Sequence, residues 1–197
     1  MSIFQILMLL MAAFFAYRMY QHIQTLEDPP HKQEHGADVT ADVPPLNLQQ
    51  LIQKADDAFL NNDTQQALAF LYEADAQKSD NPEVLGKIGY ILAEQSSYDE
   101  AISYYQKALK FDPDNDLFYN ALASAYRQVG LFDQAKAAFE NSLKIDGNNK
   151  ITYYNYGNLF AALHSKQEAI EMYQKALLID PDFQEAKKEI EILKENS

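Results

Sequence analysis

The chain has 197 residues, 47 % of them hydrophobic and 23 % charged, enough for one ordered domain and too polar for a protein embedded mainly in a bilayer. Its net charge of −13 argues against general nucleic-acid binding, which needs a surplus of Lys and Arg on one face, and points to protein partners, among them basic or apolar segments. With no cysteine there are no disulfides, no thiolate zinc sites and no cysteine nucleophile.

The chain opens on MSIFQILMLLMAAFFAYRMYQ, in which residues 3–17 carry no charge. A helix over residues 3–20 spans roughly 27 Å at ~1.5 Å per residue, enough to cross a bilayer. A cleaved secretory signal needs basic residues before the apolar run and a small-x-small site after it, and neither is here. No Lys or Arg precedes the run, whereas Arg18 and then Lys32 follow it. This asymmetry predicts a single transmembrane anchor over 1–24 with the N-terminus outside and the remainder cytoplasmic. Residues 25–47 contain two Pro-Pro pairs and no apolar periodicity, so they read as a disordered linker. His31 and His35 stand four apart beside Glu34, a metal-binding spacing on a helix, but the prolines oppose a helix and no metal site is expected.

From Leu48 onward apolar residues follow a 3.6-residue period and no window reads as a strand, which predicts an all-α domain of short helices. Three segments nearly repeat one another: YQKALKFDPDN at 105–115, FENSLKIDGNN at 139–149 and YQKALLIDPDF at 173–183, spaced 34 residues apart. Overlaying 82–115, 116–149 and 150–183 aligns Gly89, Ala123 and Gly157, then Leu92, Tyr126 and Phe160, then Ala101, Ala135 and Ala169. The same overlay aligns Tyr105, Phe139 and Tyr173, then Ala108, Ser142 and Ala176, then Pro113, Gly147 and Pro181. Large residues recur where a gap needs filling and small ones where two helices approach closely. Ser97 with Glu100 and Ser165 with Glu168 have the spacing of capping boxes, and Gly130 supplies the corresponding turn in the third unit.

This pattern resembles the tetratricopeptide repeat, a 34-residue pair of antiparallel helices with small and aromatic residues at fixed offsets and a proline at its end. The resemblance implies a right-handed α-α superhelix with units over 82–115, 116–149 and 150–183. A divergent unit over 48–81 has Lys54 in place of an apolar residue and Ser79 in place of the proline. Residues 184–197, with Ala186, Ile190 and Leu193 on one side, read as a capping helix. One hairpin has too little core alone, so stability is expected from stacking. The expected packing positions are Gly89, Ala101, Tyr105, Ala108, Pro113, Tyr126, Ala135, Phe139, Gly157, Ala169, Tyr173, Ala176 and Pro181.

No phosphate-binding glycine loop, nucleophile elbow or H-E-x-x-H motif occurs, and six glycines in all leave little for a phosphate cradle. His164 falls near a helix-helix turn with no nucleophile beside it, so no catalytic residue, no cofactor and no enzyme activity are expected. By resemblance, the concave surface formed by first helices would hold a peptide through Tyr90, Glu94, Asn120, Ser124, Arg127, Gln128, Tyr154 and Asn158. The cationic clamp with which some relatives grip a C-terminal carboxylate is absent, since its places carry Ile52, Asp56, Leu117 and Ala121. The expected function is a membrane-anchored adaptor that binds proteins. The alternative is an envelope-assembly factor with the domain on the outer side, and homo-oligomerisation stays open.

Overall fold

The computed structural model describes residues 45–195. These form helices α1 (Leu48–Leu60), α2 (Thr64–Gln77), α3 (Pro82–Glu94), α4 (Tyr98–Phe111), α5 (Asp116–Gln128), α6 (Phe132–Ile145), α7 (Lys150–Ala162), α8 (Lys166–Ile179) and α9 (Gln184–Glu195). Successive pairs are hairpins, α1 with α2 through α7 with α8, and α9 lies against α8. First helices also neighbour one another, α3 with α5 and α5 with α7, so they form the crowded inner side of an all-α, superhelix-like stack. The anchor expected over 1–24 lies outside the described residues. Among the described residues no helix is long and apolar enough to cross a membrane.

Each first helix starts on an asparagine in the 34-residue register: Asn47, Asn81, Asn115 and Asn149. Their side-chain oxygens accept from the first free backbone N–H groups, at 3.0 Å for Gln50 and 3.1 Å for Phe118, satisfying donors that have no intrahelical partner. At Asn47 the exchange is reciprocal, because Gln50 Oε1 accepts from the Asn47 N–H at 3.0 Å. Residues assigned to the end of the linker therefore belong to the first hairpin: Leu46 packs against its core and its carbonyl accepts from Gln77 Nε2 at 2.9 Å.

Each first helix ends through a residue in the left-handed region at one shared offset: Asn62, Ser96, Gly130 and His164, with φ of 60°, 62°, 78° and 57°. The next residue's N–H returns to a carbonyl five residues back, as in Ser97 to Leu92 and Ser165 to Phe160, both at 2.9 Å. This is a Schellman closure, and it corrects the expected capping boxes. Ser97 and Ser165 make no side-chain cap bond. Their N–H groups are already spent on the closure, and their ψ of 59° and 73° is far from the extended backbone of a helix N-cap. Asp63, with a longer side chain at the same offset, does reach the Gln66 N–H at 3.0 Å.

Inside each hairpin the small residues admit a ring. A methyl group at Gly89 would lie 2.9 Å from the Tyr105 ring and one at Gly157 would lie 2.5 Å from the Tyr173 ring, so glycine is required for the helices to close. Ala101, Ala108, Ala135, Ala169 and Ala176 are all fully buried, as are Phe139 and Tyr173. Pro113 and Pro181 sit exposed in the turns that follow α4 and α8. The divergent first unit folds on the same plan, burying Leu51, Ala55, Ala67, Leu71 and Ala74. Its Lys54 is exposed and lays its ammonium 5.6 Å from the centre of the Phe70 ring. At the other end, α9 covers the stack with Ala186, Ile190 and Leu193.

Candidate functional site

On the inner side, between the second and third units, the first helices enclose a hollow of about 350 Å³. Tyr90, Ala93 and Glu94 of α3 form one wall, Asn120, Ala121, Ser124 and Gln128 of α5 the other, with Tyr98 and Tyr105 of α4 and Asn155 of α7 at its margins. Tyr90 and Glu94 are one helical turn apart and share a face. Five of the eight expected groove residues meet here: Tyr90, Glu94, Asn120, Ser124 and Gln128.

The polar groups of this hollow are left with capacity to bind. Asn155 Nδ2 donates to Asn120 Oδ1 at 3.1 Å, which orients both amides and leaves the Asn120 NH2 and the Asn155 oxygen without partners among the described residues. Tyr105 is 3 % exposed, and burial, with Tyr90 and Glu94 close by, pushes its hydroxyl well above the usual tyrosine range. Neither the Tyr105 hydroxyl nor the Glu94 carboxylate has a hydrogen-bond partner among the described residues.

The other three expected residues are engaged at the far end. Asn158 accepts from the Tyr173 hydroxyl at 2.8 Å, and Tyr154 packs its ring against Tyr173 and Phe183, with centres 5.7 and 5.2 Å apart. Arg127 is half-buried, its Nε is sealed from solvent without a partner, and its charge acts on the Tyr173 hydroxyl. Asn155, Tyr98 and Tyr105 were not among the expected groove residues. Asn155 was legible as the offset that carries Lys87 and Ala121 in the preceding units, next to the aligned groove offset; Tyr105 had been assigned to packing, which it also serves.

A second, smaller hollow of about 160 Å³ adjoins the first, lined by Ala55, Asp56, Phe59, Leu71, Lys87, Tyr90 and Ile91. Lys87 bridges the first two units by pairing with Asp56 at 2.7 Å. Tyr90 stands edge-on to Phe59, with ring centres 5.6 Å apart, and so forms the partition between the two hollows. Among the described residues no group of three His, Asp or Glu is placed to hold a metal ion.

A row of stacked helical hairpins with an open, polar-lined inner surface defines a helical repeat scaffold. Residues 89–130 match the family model described as TPR repeat, and residues 120–185 match that described as Tetratricopeptide repeat. An uncharacterized protein ycf37 of Cyanophora paradoxa is 28 % identical over 126 residues, or 64 % of this chain and 54 % of the relative; the match thus spans about half of the relative's length. The crystal structure of MamA protein superposes with a TM-score of 0.67 at 22 % identity, covering 75 % of this chain and 81 % of that one. The first TPR of Spaghetti (RPAP3), bound to the HSP90 peptide SRMEEVD, superposes with a TM-score of 0.56 at 28 % identity over 60 % of this chain and 94 % of that domain. The family matches and the fold likeness agree on tetratricopeptide-type repeats over residues 89–185.

Proposed function

We propose that the chain is a membrane-anchored scaffold that holds an extended segment of a protein partner in the groove between its second and third units. The observation that carries this reading is the pair of oriented amides, Asn120 and Asn155, which offer one donor and one acceptor side by side at the hollow. An extended segment presents the complementary pair along its backbone. The peptide bound by the Spaghetti domain supports the reading by analogy. The absence of cations at Ile52, Asp56, Leu117 and Ala121 argues for an internal segment as the guest, not a free C-terminal carboxylate. Residues 3–20 would anchor the protein with the domain on the cytoplasmic side, raising the local concentration of groove and partner without chemistry.

A crosslinking pull-down with the full chain tests the groove. Replacing Asn120→Ala together with Asn155→Ala removes two amide contacts of about 1 kcal/mol each, so partner recovery should fall by about tenfold or more at unchanged helicity. Equal recovery would exclude these amides as the site. Asn158 is a poorer choice, because its loss also strands the Tyr173 hydroxyl. Orientation is tested separately by C-terminal reporters: fluorescence is expected from a cytoplasmic reporter, and alkaline phosphatase activity instead would favour the outer placement.

A further inference from the structure

The lining of the hollow has a charge pattern that the amide contacts leave unexplained. Glu94 is the one charged residue among those that line it, and no Lys or Arg of the described residues pairs with it. Around it stand three tyrosines, Tyr90, Tyr98 and Tyr105, from two different helices. Elsewhere in the domain lysines settle on rings: Lys54 on Phe70, Lys107 on Tyr104, Lys150 on Phe183 and Lys175 on Tyr153, at 4.8–5.9 Å. Among the described residues, no lysine or arginine stands over the three tyrosines of the hollow in this way.

We propose that this hollow is a socket for a basic side chain, Lys or Arg, carried by the segment held in the groove, with Glu94 as counter-charge and Tyr90, Tyr98 and Tyr105 as its walls. The inference rests on the groove reading and adds the chemistry of the guest. Ring faces are negative and attract a cation, most strongly where water is partly excluded. An apolar or acidic guest would instead cover the Glu94 carboxylate with no donor in reach, at a cost in desolvation or in like-charge repulsion. A Lys or Arg also has an aliphatic stem long enough to lie along Tyr90 while its backbone meets Asn120 and Asn155. The domain's excess of acid draws basic segments toward it before contact is made.

The test uses the full chain and a bead-displayed library of randomised decapeptides, sequenced after selection. Wild type should enrich peptides carrying Lys or Arg. Glu94→Gln should lower that basic preference by about tenfold while still retaining peptides, and Glu94→Lys should turn the preference toward Asp and Glu. Glu94 is exposed, so neither variant should disturb the fold, and circular dichroism verifies it. If wild type shows no basic preference, or Glu94→Gln keeps it, the socket is wrong; loss of total retention in Asn120→Ala/Asn155→Ala would then leave the groove reading standing. If that double variant and the Glu94 variants all retain peptides as wild type does, the groove reading fails and the socket with it.

Discussion

The junction between the second and third units and the junction between the third and fourth both carry an apolar cluster, but they fill one set of aligned positions with different chemistry. At the first, the Phe118 ring enters the space left by Gly86, where a methyl group would lie 2.3 Å from it, and an apolar core runs unbroken from α1 to Leu122 and Ala125. At the second, the aligned residues are polar. Fully buried Ser142 donates to the Asp116 carbonyl at 2.9 Å and lies 3.2 Å from the hydroxyl of fully buried Thr152. Asn149 donates to Asp116 at 3.0 Å, and Asn155 donates to Asn120. A 34-residue register thus fixes where neighbours touch but not with what chemistry. The polar junction gives up some apolar contact and in exchange orients the amides that border the hollow.

The largest expected effect breaks the apolar junction. Phe118→Ala empties the notch at Gly86 and should lower the stability of the full chain by about 2–3 kcal/mol in urea unfolding, less than for a wholly buried ring because Phe118 is half-buried. A loss under about 0.5 kcal/mol would mean that the ring does not join the units. At the polar junction, Ser142→Ala alone should cost about 1–2 kcal/mol, since it strands the buried Thr152 hydroxyl and removes a bond to the Asp116 carbonyl. The double change Ser142→Ala/Thr152→Val removes the polar pair together and should cost less than the single one; strict additivity would show that the two hydroxyls are not coupled.

Much of this organisation was written in the sequence. Alternating small and aromatic residues at Gly89 and Tyr105, or Gly157 and Tyr173, announce both the helix pair and the closeness of its approach. Gly86 carried the same kind of signal: glycine inside a helix costs roughly 0.5–1 kcal/mol and needs a reason, here a ring from the next unit. The Asn47, Asn81, Asn115 and Asn149 caps are in register and equally legible, whereas the S-x-x-E spacing misled because backbone closure claims the N–H groups first. What the register could not convey is contact across the groove. That Tyr173, on a second helix, reaches Asn158 and that Asn155 reaches Asn120 depends on how neighbouring helices cross, which no spacing along one chain encodes.

Two smaller effects sharpen the comparison. Burial, the nearby Glu140 charge and a hydrogen bond to Glu140 push the Tyr156 hydroxyl up to about 12, and burial raises Tyr105 and Tyr173 as well. A raised tyrosine contributes stability that is fully present below the unfolded value near 10 and is lost as pH rises through the folded value. Ultraviolet titration should therefore show these three tyrosines ionising only above the unfolded value, together with loss of helicity; their ionisation at the unfolded value with the helices intact would contradict their burial. Smallest of all, Lys87→Met breaks a half-exposed ion pair between the first two units and should shift stability by no more than about 1 kcal/mol, well below Phe118→Ala. A larger shift would make the junction between the first and second units electrostatic instead of apolar.

The most direct measurement places a photo-crosslinking residue at Ser124, inside the hollow, and in a parallel chain at Lys107, on the exposed side of α4. Adducts mapped by mass spectrometry should join position 124, and not position 107, to an extended segment of a partner protein. Adducts from 107 alone, or equal yields from both positions, would contradict a partner seated between the second and third units.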